Sequence, residues 1–255
     1  MSKLILMAKD LYREYYGVQA LKGASLQVEE GTITGLIGPN GAGKTTMFNC
    51  LTGVVPAEKG TIVFNGTNVT GWRPERICSI GMVRTFQIAR GFPSLTVLET
   101  LLLHGDRQPG ESVIRSLVSQ KSWTAREQEL EARAHKIATR LKLDHLLSNM
   151  SSDLSGGQKK LLEIGRALMG NPKLVLLDEP AAGVNPTLVG EIAERILELR
   201  GSGINFLVID HDLELIARIC NVVTVMAHGT HLTTGSYEEV TSDPRVQDAY
   251  LGLAA

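Results

Sequence analysis

Three short apolar runs stand out in the second half of the chain. Their sequences are LVLLDE at 174–179, FLVIDH at 206–211 and VVTVMA at 222–227, and helical stretches separate them. Within each run apolar residues predominate and do not alternate regularly with polar ones. Strands of this kind are buried on both faces, which is typical of a parallel sheet covered by helices. The pattern predicts an α/β fold.

The first 85 or so residues show the pattern of short strands. Segments such as ALKGASLQVEEG (20–31) and GTIVFNGTNVT (60–70) carry β-branched residues, and Asn65-Gly66 is a favoured hairpin turn. Within this region TITGLIG (32–38) runs into GPNGAGKTTMFNCLTG (38–53). That order predicts a strand, a glycine loop and a helix.

Helical spacing characterises the middle of the chain, from about 88 to 170. Thr124 with Glu127 matches a capping box at a helix start. The apolar residues that follow share one helix face: Leu130, Ala134, Ile137 and Leu141. A second helix is expected to begin near Ser155, and one side of it carries Leu161, Ile164, Gly165 and Leu168. The helix-breaking run at 170–172 would stop it.

Composition and charge narrow the classes of function. Lys and Arg number 26 against 27 Asp and Glu, so no overall basic charge favours nonspecific nucleic-acid binding. Cys50, Cys78 and Cys220 lie far apart without metal spacing, which indicates reduced thiols. The first apolar stretch is too short for a signal peptide, and no run reaches the roughly 20 residues of a membrane span. Any membrane role is therefore expected to come through a partner.

A glycine-rich phosphate loop is the first motif that carries chemistry. GPNGAGKT at 38–45 matches G-x-x-x-x-G-K-[ST], in which glycines let successive N–H groups face phosphate oxygens. Lys44 would pair the β- and γ-phosphates, and the Thr45 hydroxyl would ligate Mg²⁺. Since a strand precedes the loop and a helix follows, we predict a nucleotide site.

Two carboxylates end the apolar strand at 174–178. At the carboxyl end of a strand Asp178 can reach the Mg²⁺ shell beside the phosphates. Glu179 suits a general base that polarises the attacking water. A solvated strand end is the alternative, and the upstream phosphate loop favours the catalytic interpretation.

LSGGQ at 154–158 predicts a second phosphate-binding surface. Ser155 is a good helix N-cap, and Gly156 and Gly157 expose N–H groups at the positive end of a helix. One ATP needs only one glycine loop, so this surface is expected to serve a different ATP. A plain capped helix start is the alternative.

Five motifs together identify a family resemblance. GPNGAGKT, RTFQ ending in Gln87, LSGGQ, LVLLDEP, and VIDH ending in His211 occur in this order, and the set resembles the ATP-binding cassette proteins over essentially the whole chain. The resemblance implies one α/β domain with a P-loop NTPase core, an antiparallel β subdomain and a helical insert subdomain. The core with its β subdomain would span 1–87 and 171–255, and the helical subdomain 88–170.

The resemblance also implies ATP and Mg²⁺ as cofactors and a role for each matching residue. Glu179, His211 and Gln87 would be catalytic, His211 contacting the γ-phosphate. Thr45, Gln87 and Asp178 would hold the metal, and Gln87 would report the nucleotide state to a membrane partner. The nucleotide-binding set comprises Tyr16, Gly38, Pro39, Asn40, Gly41, Ala42, Gly43, Lys44, Thr45, Thr46, Ser155, Gly156, Gly157 and Gln158.

Two positions qualify the match. Tyr16 matches the aromatic residue that stacks on adenine, but Tyr15 is its rival, and a tyrosine packed on the strand layer is a further alternative. Asn185 replaces an aspartate that in the family helps couple the two sites of a dimer. An amide still forms hydrogen bonds, so weaker coupling is expected.

Several segments resemble the ATPase subunits of branched-chain amino-acid importers. They are GMVRTFQIARGFPSLTVLETLLL, PGES at 109–112, DEPAAGVNP and DPRVQDAYLG at 243–252. Urea-importer and lipopolysaccharide-export ATPases share much of this pattern and remain alternatives. A nucleic-acid- or ribosome-associated cassette is the alternative of a different class. The near-zero net charge, the single module and the lack of a long heptad run disfavour it.

The resemblance implies a peripheral subunit of a membrane complex. Its partners would be two integral membrane permease subunits, a second cassette (a different one or a copy) and an extracytoplasmic solute-binding protein, with no nucleic acid. The complex would lie at the cytoplasmic face of the inner membrane. Phe92, Leu95 and Val97 are candidates for contact with the permeases, and burial in the chain's own core explains them equally well.

Overall fold

The structure is a computed structural model that describes residues 3–85, 94–105 and 120–251. For 120–125 it describes the backbone alone. In these ranges the chain forms two sheets and a group of helices. The candidate site lies at the carboxyl ends of parallel strands in the larger sheet.

The smaller sheet is antiparallel. Its strands are β1 (Leu4–Tyr15), β2 (Val18–Glu29), β4 (Lys59–Phe64) and β5 (Thr67–Asn68). Their order is β2-β1-β4-β5. Phe64 pairs with Thr67, and the two turn residues have φ of 46° and 77°, so the predicted Asn65-Gly66 hairpin is confirmed. β1 and β2 are longer than the pattern indicates, because register shifts keep them paired through irregular stretches.

The larger sheet is parallel except at one edge. Its strands are β3 (Ile33–Ile37), β6 (Met82–Arg84), β7 (Leu174–Asp178), β8 (Asn205–Ile209), β9 (Val222–Ala227) and β10 (Thr230–Gly235). The order is β10-β9-β3-β8-β7-β6, and only β10 is antiparallel to its neighbour. The three apolar runs form β7, β8 and β9, which confirms the predicted parallel sheet.

Apolar side chains cover both faces of this sheet. In β7, Val175 and Leu177 pack into a core shared with the helical part, whereas Leu174 and Leu176 face a core shared with the smaller sheet. β3, β7 and β8 are buried along their whole length. The absence of polar alternation in these strands therefore reflects burial on two sides.

The helices within the described ranges connect and cover the sheets. They are α1 (Lys44–Leu51), α2 (Pro74–Ser79), α3 (Val97–Leu102), α4 (Gln120–Arg140), α5 (Gly156–Met169), α6 (Pro186–Gly201), α7 (Leu213–Ile219), α8 (Tyr237–Ser242) and α9 (Pro244–Leu251). Short 3₁₀ turns lie at Asp144–Leu146 and Ser151–Asp153. In these ranges no helix combines the length and the apolar character that crossing a bilayer requires.

α3, α4 and α5 pack together over one face of the larger sheet. The apolar faces predicted for α4 and α5 are buried, and α5 begins after Ser155 and ends before Gly170 as expected. The predicted capping box at Thr124 is wrong, because α4 is already helical at Gln120. Gln and Lys have high helix propensity, so residues 120–123 continue the helix beyond the Thr-x-x-Glu pattern.

Candidate functional site

The loop between β3 and α1 has a shape that requires glycine at two positions. Gly38 has φ of 150°, and a Cβ there would lie 2.1 Å from the carbonyl oxygen of Met226. Gly43 has φ of 97°, and a Cβ there would lie 2.5 Å from the carbonyl oxygen of Ala20. The loop leads directly into the N-terminus of α1, where N–H groups and the helix dipole favour phosphate.

Lys44, the first residue of α1, folds back over this loop. Its Nζ donates to the carbonyl oxygens of Gly38 at 2.7 Å and Pro39 at 3.0 Å, and the residue is only 6% exposed. Burial lowers the pKa of the ammonium group, and the nearby charge of Glu179 partly offsets that effect. Asn40, Gly41 and Thr45 are exposed. A buried cation thus lies beneath an open loop surface.

Asp178 is the last residue of β7, and the glycine loop follows the last residue of the parallel strand β3. Both therefore lie at the carboxyl ends of the strands. Its side chain is 4% exposed and accepts a hydrogen bond from Arg84 Nη2 at 2.5 Å. The other nitrogen, Arg84 Nη1, donates to Asn49 Oδ1 on α1 at 2.6 Å. Arg84 was not predicted as a site residue, and its one sequence signal is its place directly before TFQ.

Glu179 and His211 come together at the ends of neighbouring strands. His211 Nε2 lies 2.9 Å from Glu179 Oε1, and the side chains are 54% and 19% exposed respectively. Glu179 has φ of 52°, and its N–H donates to the carbonyl oxygen of Ile209 at 2.8 Å. The left-handed backbone directs Glu179 away from the line of β7. A carboxylate and an imidazole therefore face each other beside the loop.

A third carboxylate, Asp210, supports this pair and was not predicted. It is 5% exposed and accepts from the N–H groups of Ala181 and Asp212, each at 2.9 Å. Burial raises its pKa, while N–H donors from Asp212, Ala181 and His211 act in the opposite direction. Asp210 ties the segment after Glu179 to the segment that carries His211. Its position next to His211 in VIDH is the only sequence signal.

The predicted second phosphate-binding surface is an exposed helix start. Ser155 Oγ accepts from Gln158 N–H at 3.3 Å, and Gln158 Oε1 accepts from Ser155 N–H at 2.9 Å, which completes a capping box. Gly157 is buried against Leu188 of α6, whereas Gly156 is exposed. A Cβ at Gly156 would meet only the carbonyl oxygen of Gly183 at 3.6 Å. Packing within this chain therefore explains glycine at 157 and not at 156.

Two family models match this chain. The ABC transporter model matches residues 21–182, which contain the glycine loop, Ser155 and Asp178. This chain belongs to the ATP-binding cassette transporter family. A second model, described as branched-chain amino acid ATP-binding cassette transporter, matches residues 231–255 of the cassette.

Similar proteins match the cassette along its whole length. A probable branched-chain amino acid transport ATP-binding protein LivG of Methanocaldococcus jannaschii is 42% identical over 97% of both chains. A high-affinity branched-chain amino acid transport ATP-binding protein LivG of Escherichia coli is 36% identical over 100% of both. A solved ATP-binding cassette of an ABC transporter in its ADP conformation is 38% identical, with a TM-score of 0.85 over 98% of this chain and 100% of that one.

Asn185 caps the helix that follows it in this cassette. Its Oδ1 accepts from Leu188 N–H at 3.0 Å at the start of α6. Asparagine and aspartate cap helices about equally well. Either residue would therefore keep the local structure after Glu179, and asparagine does so without a negative charge.

The two candidate adenine residues of the cassette differ in exposure. Tyr16 is fully exposed at the turn between β1 and β2, with φ of 50°. Tyr15 is half-buried, and the guanidinium of Arg13 lies 4.8 Å from the centre of its ring. Tyr16 is therefore the one with a ring face available for stacking, and it is not packed on the strand layer.

Gln87 and Phe92 lie outside the described residues of the cassette, so their predicted roles rest on sequence. Of the other two predicted contact residues, Val97 is buried in the core and Leu95 is partly exposed. The described ranges contain no cluster of three or more His, Cys, Asp or Glu residues able to hold a metal ion.

A cavity of about 460 Å³ lies beside β6 of the cassette and is lined in part by residues of α2 and α5. Arg84 and Thr85 line one wall, and His104, Glu163 and Arg166 line the other. His104 Nδ1 donates a hydrogen bond to the carbonyl oxygen of Thr100 at 2.8 Å, and its Nε2 accepts one from Arg166 Nε at 3.0 Å. Burial raises the pKa of Glu163, whose Oε1 has no hydrogen-bond partner in the described structure.

Proposed function

We propose that this cassette is the ATP-hydrolysing subunit of a membrane importer for branched-chain or other hydrophobic amino acids. The observation that carries the proposal is the Glu179–His211 contact, formed beside a phosphate loop that contains the buried Lys44. The names of the LivG relatives and the model matched by residues 231–255 support the solute class.

The loop residues 38–46 would bind the phosphates of ATP through backbone N–H groups, with Lys44 supplying the buried charge. Tyr16 would stack on adenine through its exposed ring, a contact worth about 1–3 kcal/mol.

The donor set at the sheet edge suits a magnesium ion bound together with ATP. Mg²⁺ sites of this kind use one or two protein oxygens, several waters and the phosphates of the substrate. Thr45 offers an exposed hydroxyl and Asp178 a buried carboxylate, and Gln87 would join them. The ion would neutralise the charge that develops on the phosphates.

Glu179 would act as the general base for hydrolysis. It lies at the end of β7 and remains partly accessible, so it can accept a proton from an attacking water. His211 would contact the γ-phosphate and hold the carboxylate in place. Asp210 supports both residues by fixing the two segments that carry them.

Ser155 and its neighbours would complete the site of a second cassette. The start of α5 is exposed at Ser155 and Gly156. The capping box uses the N–H groups of Ser155 and Gln158, so a phosphate from outside the chain would bind the N–H groups of Gly156 and Gly157. ATP would join two cassettes face to face, and hydrolysis would let them separate. We propose a different gene product as the partner cassette, with a second copy of this chain as the alternative.

The importer would contain two permease subunits, and the cavity beside β6 would receive a short segment of one of them. This contact would place the cassette at the cytoplasmic face of the inner membrane. A partly apolar opening between two subdomains suits an inserted helix end, and Glu163 offers it a buried acceptor. An extracytoplasmic solute-binding protein would complete the importer. Urea import and lipopolysaccharide export remain alternative cargoes.

A tagged pull-down from detergent-solubilised membranes tests this function, with mass spectrometry of the proteins recovered. We expect two multi-span permeases and a second cassette, and the permeases identify the class of solute. An untagged strain processed in parallel is the control. Recovery of ribosomal or DNA-bound proteins without membrane subunits would contradict the transport function.

A further inference from the structure

Arg84 is bound at both ends of its guanidinium. Nη2 donates to Asp178 on β7 at 2.5 Å, and Nη1 donates to Asn49 on α1 at 2.6 Å. The side chain is 9% exposed, and the guanidinium carbon lies 5.6 Å from the centre of the Phe48 ring. The arginine thus connects two elements that the sequence separates by more than 120 residues.

Those two elements carry the proposed oxygen ligands of the metal. Thr45 lies in the first turn of α1, and Asp178 is the last residue of β7. The planar guanidinium has fixed donor directions, so it sets the position of the two acceptors relative to each other. A single bond to one Asp178 oxygen also leaves carboxylate capacity for another ligand.

Stability alone does not account for this ion pair. Burying an arginine and an aspartate costs solvation free energy, and apolar residues of similar size are often as stable or more so. Neither ATP binding nor water activation, as described above, uses Arg84. A role in orienting the carboxylate accounts for a buried ion pair at this place in the fold.

We propose that Arg84 is a positioning residue for the divalent-metal site, which fixes Asp178 relative to α1 so that Asp178 and Thr45 can hold one Mg²⁺. The proposal rests on the proposed function, since it concerns Mg²⁺ bound with ATP. Arg84 also lines the cavity beside β6. A permease segment in that cavity would therefore touch the same side chain that orients Asp178.

Substitution of Arg84 tests the proposal through magnesium dependence. The purified cassette is titrated with Mg²⁺ at fixed ATP, and the rise in thermal unfolding midpoint gives the half-maximal Mg²⁺ concentration. Arg84→Gln should raise that concentration about 10-fold or more, the usual cost of removing a partner of a metal ligand. Binding of a fluorescent ATP analogue in EDTA should stay within about twofold of wild type, because the phosphate loop is untouched. Arg84→Lys should give a half-maximal Mg²⁺ concentration between those of wild type and Arg84→Gln, since one ammonium group cannot bridge both acceptors.

Arg195→Gln is the matched control. Arg195 has a side chain 10% exposed and pairs with Glu198 at 2.6 Å and Glu194 at 3.4 Å, away from the loop. It should lower the unfolding midpoint without changing the half-maximal Mg²⁺ concentration. If Arg84→Gln does not fold, Asn49→Ala decides, because it removes the α1 anchor and keeps the ion pair. It should shift the Mg²⁺ dependence in the same direction by a smaller factor.

An unchanged or lower half-maximal Mg²⁺ concentration in the folded Arg84 or Asn49 variants would overturn the proposal. The lower value would make Arg84 a competitor of the metal. A wild-type cassette that binds no ATP, with or without Mg²⁺, would instead contradict the proposed function.

Discussion

At the scale of single residues, the site depends on charges that are buried and individually anchored. Lys44 is held by two carbonyl oxygens, Asp178 by an arginine, and Asp210 by two N–H groups. Glu179 differs, because its side chain is partly exposed and contacts the accessible His211. The anchored groups define the frame of the site, and the accessible pair is positioned to meet a substrate.

Removing the Asp210 carboxylate should destabilise the cassette. Asp210→Ala would leave the N–H groups of Ala181 and Asp212 without their acceptor, and we expect a loss of about 2–3 kcal/mol in the free energy of unfolding. Denaturant unfolding measures it. Asp248→Ala, at an exposed carboxylate, should stay within about 0.5 kcal/mol of wild type. Equal stabilities for the two variants would refute the supporting role of Asp210.

Most of the candidate site could be predicted from local motifs. Lys44, Ser155 and Glu179 each lie in a short pattern whose chemistry is readable from adjacent residues. Arg84 and Asp210 could not be found this way. Their partners are defined by strand order: Arg84 meets Asp178 across the β6–β7 pair, and Asp210 reaches Ala181 from the end of β8. Strand order is not encoded in any one segment.

At the scale of elements, the packing of α5 against α6 gives two adjacent glycines, Gly156 and Gly157, different roles. Gly157 is buried against Leu188, so a Cβ there would lie 2.9 Å from the leucine side chain. Gly156 faces outward, with ordinary contact distance to the nearest atom. One glycine therefore serves packing, and the other keeps the start of α5 open.

The pair Gly156→Ala and Gly157→Ala separates these roles. Gly157→Ala should lower the free energy of unfolding by about 1–3 kcal/mol through overpacking. Gly156→Ala should leave stability unchanged within about 0.5 kcal/mol, yet impair ATP turnover in the assembled complex because its methyl group lies at the surface offered to the second ATP. Thermal unfolding and ATPase rates measure the two effects. Full turnover by a Gly156→Ala complex would argue against a shared site.

The elements themselves were predictable where periodicity was strong. The apolar faces of α4 and α5 and the runs at β7, β8 and β9 gave type and position correctly. The start of α4 was not predictable from the Thr124 capping pattern, because such a pattern also fits a helix interior. The lengths of β1 and β2 depend on register shifts that cross-strand packing decides.

At the scale of the whole molecule, the larger sheet separates two hydrophobic cores. The glycine loop, Asp178 and Glu179 lie together at the carboxyl ends of its parallel strands. Arg84 lines the cavity beside β6 and also bonds to Asp178. The proposed metal site and the surface proposed for the permeases therefore have this side chain in common. This arrangement suits a subunit in which ATP binding and hydrolysis act on a membrane partner.

Glu179→Gln tests that account most directly. In the detergent-solubilised complex, ATP affinity should stay within about threefold of wild type, because the loop and Lys44 are intact. Turnover of the ATP held by this cassette should fall about 100-fold or more, since an amide cannot accept the proton of the attacking water. Glu191→Gln, at an exposed position on α6, should hydrolyse ATP like wild type. Normal turnover by the Glu179→Gln complex would show that Glu179 is not the base and would contradict the account.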